Sequence, residues 1–359
     1  MEKVKLGLVG LRRGWGVVYE ILKEKTVQLA AICDKDEERV TYVSGELDKM
    51  NYEGYTAYTS FEEMLKSDID AVFIANYATE HVPLVKKALD AGKHVLSEIP
   101  CADTVEEVKE LKEAVKSHPE LKYMIAENCC YWGFITAWKK MYEDGKFGDA
   151  IYAESEYIHS RDWREIKESM YPDDHWRTTH PSIKYLTHNL GPLLRIMDDR
   201  CVSVTCLDAD TREDYNPYVD RKDPGIALFR TEKGAIIKIM ICCTGFVKHD
   251  HNFRIIGTRG SIETDNYERY ETAHSYASFS DIPGSIDDKI DIPVTASSFG
   301  DGGLHAGADR KMVMDFINCI INDTEPPLDV DYAIDITLPG IIAHESAAQG
   351  GMPLEIPEI

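Results

Sequence analysis

Short apolar runs separated by stretches of helical period fill the first third of the chain. Val4 to Val9, Val27 to Cys33, Ala71 to Ala75, His94 to Ser97 and Tyr123 to Ala126 each read as a buried strand. Strands alternating with helices predict a parallel sheet with right-handed crossovers. Two of the helices carry capping-box signatures at their starts, Ser60 with Glu63 and Thr104 with Glu107, where a hydroxyl and a carboxylate reciprocally satisfy orphan amides. After Gly145 to Gly148 the texture changes to longer alternating runs: Ala150 to His159, Val202 to Ala209, Gly225 to Arg230, Ala235 to Cys242 and Phe253 to Glu263. That period predicts an antiparallel or mixed sheet. Helical period returns at Ser182 to Met197, Asp309 to Asn322 and Tyr332 to Gln349. The expectation is an α/β protein with two domains: a doubly wound parallel sheet over 1–125, and over 126–359 a second α/β domain with a large open mixed or antiparallel sheet.

The first strand runs into Gly7, Gly10, Arg12, Arg13, Gly14 and Gly16 and then a helix. Strand, glycine turn and helix together aim backbone amides at a pyrophosphate, as in Rossmann domains. The spacing departs from GxGxxG, since Arg12 stands where the second glycine is expected. Its side chain must point away from the phosphates or lie over them. Asp34 ends the second strand, 20 residues past Gly14, where a carboxylate can accept from both ribose hydroxyls. A helix N-cap is the other reading of Asp34. Its charge opposes the extra phosphate of NADP, so NAD is the expected cofactor; Arg12 and Arg13 keep NADP open.

A formal charge of −23 argues against nucleic acid or an anionic membrane as partner, and for a small ligand. No signal peptide precedes the first strand and no apolar run reaches spanning length, so a cytosolic protein is expected. The nine cysteines are scattered without CxxC pairs and read as reduced, mostly buried thiols. The strongest metal hint is His249-Asp250-His251. Alternation puts both histidines on one face with no third ligand in view, so a polar strand end is expected and no metal.

The glycine turn, Asp34, Ala75-Asn76-Tyr77 through His81, Ala91-Gly92 through Glu98-Ile99-Pro100, and Gly145 to Gly148 occur in order. With them the whole chain resembles the Gfo/Idh/MocA oxidoreductases. The resemblance implies a Rossmann domain, a C-terminal α/β domain whose open sheet builds a homodimer or homotetramer, and cofactor contacts from Gly10, Arg12, Arg13, Gly14, Asp34, Asn76, His81, Glu98 and Asn128. The family's Glu-Lys-Pro signature, whose lysine helps deprotonate the alcohol, reads Glu98-Ile99-Pro100 here. Its Asp-x-x-x-His reads Lys184 to His188. These departures, with Glu127-Asn128-Cys129-Cys130-Tyr131, Tyr185 to Pro192 and His305 to Asp309, resemble the NAD-dependent glycosidases of glycoside hydrolase family 109. In the scheme implied by that branch a hydride passes from carbon 3 of a glycoside to NAD. The new ketone acidifies carbon 2, the leaving group is eliminated from carbon 1, water adds and the hydride returns. No paired glycosidase carboxylates are needed.

The candidate catalytic residues are His188, Tyr185 and Lys184. If 184–188 is helical, Lys184 and Tyr185 each face His188, and Gly191-Pro192 then disrupts the helix, leaving the His188 carbonyl available. A histidine suits proton acceptance near neutrality. Tyr131, His159, His175, Trp176 and Arg177 are candidate sugar contacts, with core packing of Trp176 an equal account. Three functions stay open: an NAD-dependent redox-neutral glycosidase, a simple NAD(P)-dependent sugar or polyol dehydrogenase, and a non-catalytic dinucleotide-binding sensor.

Overall fold

The computed structural model describes residues 3–159, 180–209, 223–243, 250–264, 274–279, 288–293 and 307–359. The chain divides into two compact units, Met1–Glu127 with Gly307–Ile334 and Ile359, and Asn128–Ala306 with Asp335–Glu358.

The first unit is built on six parallel strands: β1 (Val4–Val9), β2 (Val27–Cys33), β3 (Thr56–Tyr58), β4 (Ala71–Ile74), β5 (His94–Ser97) and β6 (Tyr123–Ile125). They lie in the order β3-β2-β1-β4-β5-β6, the doubly wound arrangement that puts a crevice at the carboxyl ends of β1 and β4. Every residue of β4 is buried, as a strand covered on both faces requires. Asp36 caps helix Glu37–Lys49 by accepting from the amides of Glu38 and Arg39. Thr104 and Glu107 form the complete box expected at helix Val105–Lys116. At Ser60 only half of the expected box forms. The hydroxyl takes the Glu63 amide, but the Glu63 carboxylate pairs with Lys66 at 2.6 Å.

Helix Ala308–Asn322 also belongs to this unit, although a single cut after residue 125 assigns it to the second. Met312, Val313, Phe316 and Ile317 on it are fully buried, and it packs on β1 and helix Arg13–Tyr19. The Ile125 amide donates to the Leu328 carbonyl at 3.0 Å, tying the returning segment to the sheet edge.

In the second unit nine strands follow the order β14-β13-β12-β11-β7-β10-β9-β8-β15. They are β7 (Ala150–Ile158), β8 (Cys201–Asp208), β9 (Gly225–Thr231), β10 (Ile236–Cys242), β11 (Asp250–Gly257), β12 (Gly260–Thr264), β13 (His274–Phe279), β14 (Asp288–Pro293) and β15 (Leu354–Glu355). β7 and β10 pair in parallel and the remaining neighbours antiparallel, so the sheet is mixed. One face is covered by helices Gly133–Glu143 and Thr187–Met197. Trp138 and Phe134 pack there edge to face, with Phe253 of β11 against Phe134. The other face leaves Leu207, Ile226 and Leu228 exposed, with Leu207 and Ile226 partners across β8 and β9.

Two expectations for this unit are corrected. The long strand expected over Phe253 to Glu263 is the greater part of a hairpin, because the Thr258 and Arg259 amides leave the ladder to donate to the Asp149 and Phe147 carbonyls. Gly257 permits the turn, since a Cβ there would lie 2.2 Å from the Phe147 oxygen. Nor does Gly191-Pro192 end the helix: Pro192 sits inside Thr187–Met197, held by the fully buried Leu190 and Leu193, and the helix stops at left-handed Asp198.

Phe316→Ala removes a fully buried ring from the returning helix and is expected to cost about 3–5 kcal/mol of the first unit's stability. Urea unfolding followed by a fluorophore in that unit measures it, and a change below about 0.5 kcal/mol, the size of a surface substitution, would detach the helix from that core.

Candidate active site

In the first unit the glycine turn is fixed from both sides. Gly10 has φ +88°, and a Cβ there would come within 2.4 Å of the Ala75 carbonyl. At Gly14 a Cβ would meet Leu8 at 2.5 Å, so this glycine lets the first helix approach β1. Between them, the Leu11 amide donates to Asp34 Oδ2 at 2.8 Å and the Arg39 guanidinium donates to the Leu11 carbonyl at 2.9 Å.

Asp34 also accepts from the Asp36 amide at 3.0 Å, which fixes the carboxylate at the end of β2. The helix cap belongs to Asp36, so Asp34 is not the N-cap. Burial, with the Asp34 and Glu62 charges, pushes the neighbouring Cys33 thiol up to about 12. All nine cysteines are free and all but Cys242 are buried, in keeping with inert thiols at most positions.

The two arginines of the turn differ. Arg12 is exposed and reaches within 3.9 Å of Asp36, so it points away from the turn. Arg13 instead grips two buried acids. Its Nε donates to Glu98 Oε1 at 2.9 Å, and its two terminal nitrogens form a fork on Asp309 at 2.9 and 2.8 Å. Asp309 is fully buried and Glu98 nearly so. The sequence pattern placed Arg13 at the cofactor and did not reveal Asp309 as its partner; the His305 to Asp309 motif was the available signal. Ile99, beside Glu98, is buried, and its amide donates to Glu98 Oε2 at 3.3 Å.

At the end of β4, Asn76 Nδ2 donates to Glu80 at 3.2 Å, while Asn76 Oδ1 is buried without a hydrogen-bond partner among the described residues. A buried acceptor of this kind suits the hydroxyls or carboxamide of a dinucleotide. The adjacent His81 ring lies between two carbonyls, Nδ1 at 2.8 Å from Pro100 O and Nε2 at 3.2 Å from Asn76 O. Burial lowers its pKa, so the ring is neutral at pH 7 and its one proton serves the nearer Pro100. His81 thus braces the loops around Asn76 and Pro100.

The second unit holds the other candidates. Lys184 and Tyr185 lie in a 3-10 turn, Ser182–Tyr185, and His188 in the first turn of helix Thr187–Met197, so 184–188 is not one α-helix. The turn is anchored at its start, where the Ser182 hydroxyl donates to buried Asp223, which also accepts from the Cys243 amide at 3.0 Å. The helix is anchored at Asn189, whose side chain donates to Ser155 of β7 at 2.7 Å. As a result the Tyr185 ring meets the His188 ring edge-on at 5.1 Å. Lys184 is half-buried in the same turn.

Tyr157, which the sequence pattern did not single out, is the centre of this cluster. Its ring lies 5.7 Å from His188, 5.5 Å from His159 and 4.8 Å from His251. Alternation along β7 was the signal, since it puts residues 155, 157 and 159 on the helix-covered face. His251 belongs to an aromatic group with Trp132 and Phe253, at 4.8 and 4.9 Å. Asn128 and Tyr131 lie in a buried 3-10 turn, with the Arg195 guanidinium 5.0 Å above the Tyr131 ring. In that turn Cys129 Sγ lies 3.2 Å from His188 Nδ1, a contact the sequence did not foretell. His175, Trp176 and Arg177 fall outside the described residues. No described helix is long and apolar enough to cross a membrane.

Residues 4–126 match the profile of the oxidoreductase family with an NAD-binding Rossmann fold, and 139–356 match that family's C-terminal α/β domain. A glycosyl hydrolase family 109 protein of Phocaeicola vulgatus is 28% identical over 92% of this chain and 72% of its own. An alpha-N-acetylgalactosaminidase of Bacteroides fragilis is 27% identical over 100% of this chain and 92% of its own. Among solved structures, levoglucosan dehydrogenase in complex with NADH and L-sorbose superposes with a TM-score of 0.82 at 20% identity, over 100% of both chains. Scyllo-inositol dehydrogenase of Lactobacillus casei, with bound NAD(H) and scyllo-inositol, gives 0.77 at 18% identity, over 99% of each.

Acidification tests the His81 brace. Its lowered pKa means that the unfolded chain binds the proton more readily, so its contribution is complete above the usual histidine value near 6.5 and is lost as pH falls below it. The urea midpoint should drop between pH 7.5 and 5.5 more in the native protein than in His81→Gln, with a slope of at most about 1.4 kcal/mol per pH unit from this group. Equal drops would remove His81 from the account.

Proposed function

The chain belongs to the Gfo/Idh/MocA oxidoreductases, and on that premise we propose that it is an NAD-dependent enzyme that oxidises a sugar hydroxyl transiently while cleaving a glycoside. The observation that carries this reading is the pairing of two features: a buried aliphatic Ile99 follows Glu98, and His188 stands with Tyr185 and Tyr157 in the second unit. Ile99 cannot accept a proton from an alcohol. His188 can. The likeness to proteins named as family 109 glycosidases supports the same choice.

NAD, when bound, supplies a hydride acceptor at carbon 3 and returns the hydride at the end of the cycle. Asp34 would hold the adenosine ribose through its diol, and its two backbone amide contacts keep the carboxylate where a 2′-phosphate would be repelled, favouring NAD over NADP. Gly10 and Gly14 shape the turn for the pyrophosphate, and Asn76 offers a buried acceptor. His188 would pass the proton of the carbon-3 hydroxyl to solvent as the hydride leaves; it then takes the proton at carbon 2 once the neighbouring carbon is a ketone, and the electron pair left there expels the leaving group from carbon 1. Tyr185 orients the imidazole by its edge contact. Lys184, half-buried in the same turn, is a further candidate for proton transfer, and Tyr131 and His159 are candidate sugar contacts. Water addition completes hydrolysis with no net change in NAD.

The test is a purified enzyme assayed on a panel led by alpha-N-acetylgalactosaminides. Aglycone release without NADH accumulation is expected, with loss of deuterium from carbon 2 of labelled substrate in ordinary water. His188→Ala should cut turnover by about 100-fold or more and leave NAD affinity nearly unchanged. Stoichiometric NADH would favour a simple dehydrogenase, the reading suggested by the levoglucosan and inositol dehydrogenase structures. Full retention of deuterium with cleavage still observed would overturn elimination.

A homodimer or homotetramer belongs to the same reading, with a second copy seated on the sheet face that exposes Leu207, Ile226 and Leu228. Light scattering should give a multiple of the 40.6 kDa chain that Leu228→Asp reduces, and a monomeric native protein would remove the idea.

A further inference from the structure

Cys129 has no part in the reaction as read above, yet its sulfur lies against the imidazole that does. The thiol is 4% exposed, 3.2 Å from His188 Nδ1 and 3.6 Å from the side-chain oxygen of Asn128, itself 2% exposed. These three residues come from two elements of the same unit, the turn Asn128–Tyr131 and the helix Thr187–Met197, which pack on each other.

The chemistry of the groups gives the contact a direction. An amide oxygen only accepts, whereas a thiol carries one proton and can accept through its lone pairs. The thiol proton therefore goes to Asn128 Oδ1, and the sulfur accepts from His188 Nδ1–H. Which nitrogen of a neutral imidazole holds the proton is set by the hydrogen bond made at the other. We propose that Cys129 is a positioning residue for His188, holding the imidazole with its proton on Nδ1 so that Nε2 presents the lone pair that accepts the substrate proton. The inference rests on His188 being the proton acceptor of the proposed reaction.

The test uses the full-length protein labelled with 15N-histidine, the His188 signals being identified by their loss in His188→Ala. Long-range proton–nitrogen correlation at neutral pH should show the His188 proton on Nδ1. In Cys129→Ala the proton should move wholly or partly to Nε2, and kcat should fall about tenfold with KM within about twofold. Cys129→Ser, whose hydroxyl can accept from Nδ1–H, should keep the native tautomer and recover most of the turnover. A native protein with the proton on Nε2, or with both nitrogens protonated as in a thiolate–imidazolium pair, would overturn the proposal. So would a Cys129→Ala spectrum and kcat indistinguishable from native. The tautomer is read without substrate, so it tests the role of Cys129 even in a chain that cleaves no glycoside, and the two failures remain distinct.

Discussion

One guanidinium organises the first unit. Arg13 opens the first helix, Glu98 follows the fifth strand and Asp309 lies in the first turn of a helix 296 residues away, and the three meet with both carboxylates buried. An unpaired buried carboxylate is strongly destabilising, so neither acid is tolerable in its place without the cation. The fork on Asp309 and the single bond to Glu98 occupy three of the five guanidinium N–H donors, a geometry that a lysine ammonium does not reproduce. Through this contact the glycine turn, the Glu98-Ile99-Pro100 segment and the returning helix are held in one arrangement. The further packing of Phe316 and its neighbours then has a fixed surface to bury against.

That interaction also marks the boundary of what a sequence displays. The strands of the parallel sheet were legible because burial on both faces leaves them as continuous apolar runs, as at Ala71 to Ile74. Asp34 was legible because the distance from Gly14 follows from one strand and one helix. The Arg13 clamp was not, since nothing local distinguishes an arginine that meets phosphate from one that meets two distant acids. The same holds for the segment 307–334: its helix was read correctly from its period, but period does not say which core a helix joins. The hairpin after β11 was hidden for a related reason. Its turn is stabilised by carbonyls of Phe147 and Asp149, more than a hundred positions earlier, and not by a two-residue sequence of the usual hairpin type.

In the second unit the sequence singled out His188 through its place in a motif, while its surroundings were not legible. Tyr157 and Cys129 reach it from a strand and a turn that precede it by 31 and 59 residues. The expectation of one helix over 184–188 brought Tyr185 and His188 together, but the contact arises through a different geometry. A 3-10 turn followed by an α-helix turns Tyr185 edge-on to the imidazole, and the Ser182–Asp223 contact fixes where that turn begins. Pro192 did not break the helix because Leu190, Leu193 and Leu194 bury it against its neighbours, and packing outweighs one missing amide.

Ile99 and Arg13 are then two sides of one adjustment. The family's lysine at position 99 would set a second cation beside Glu98, whose carboxylate already accepts from the Arg13 guanidinium and from the Ile99 amide. Two cations competing for one buried acid would weaken the hold on Asp309 or leave an ammonium desolvated, and either is costly. An aliphatic side chain avoids the competition and leaves the strand end apolar. Ile99 offers no proton carrier at this position, and on the proposed reading that task falls to His188, whose ring lies against a thiol and a phenol ring.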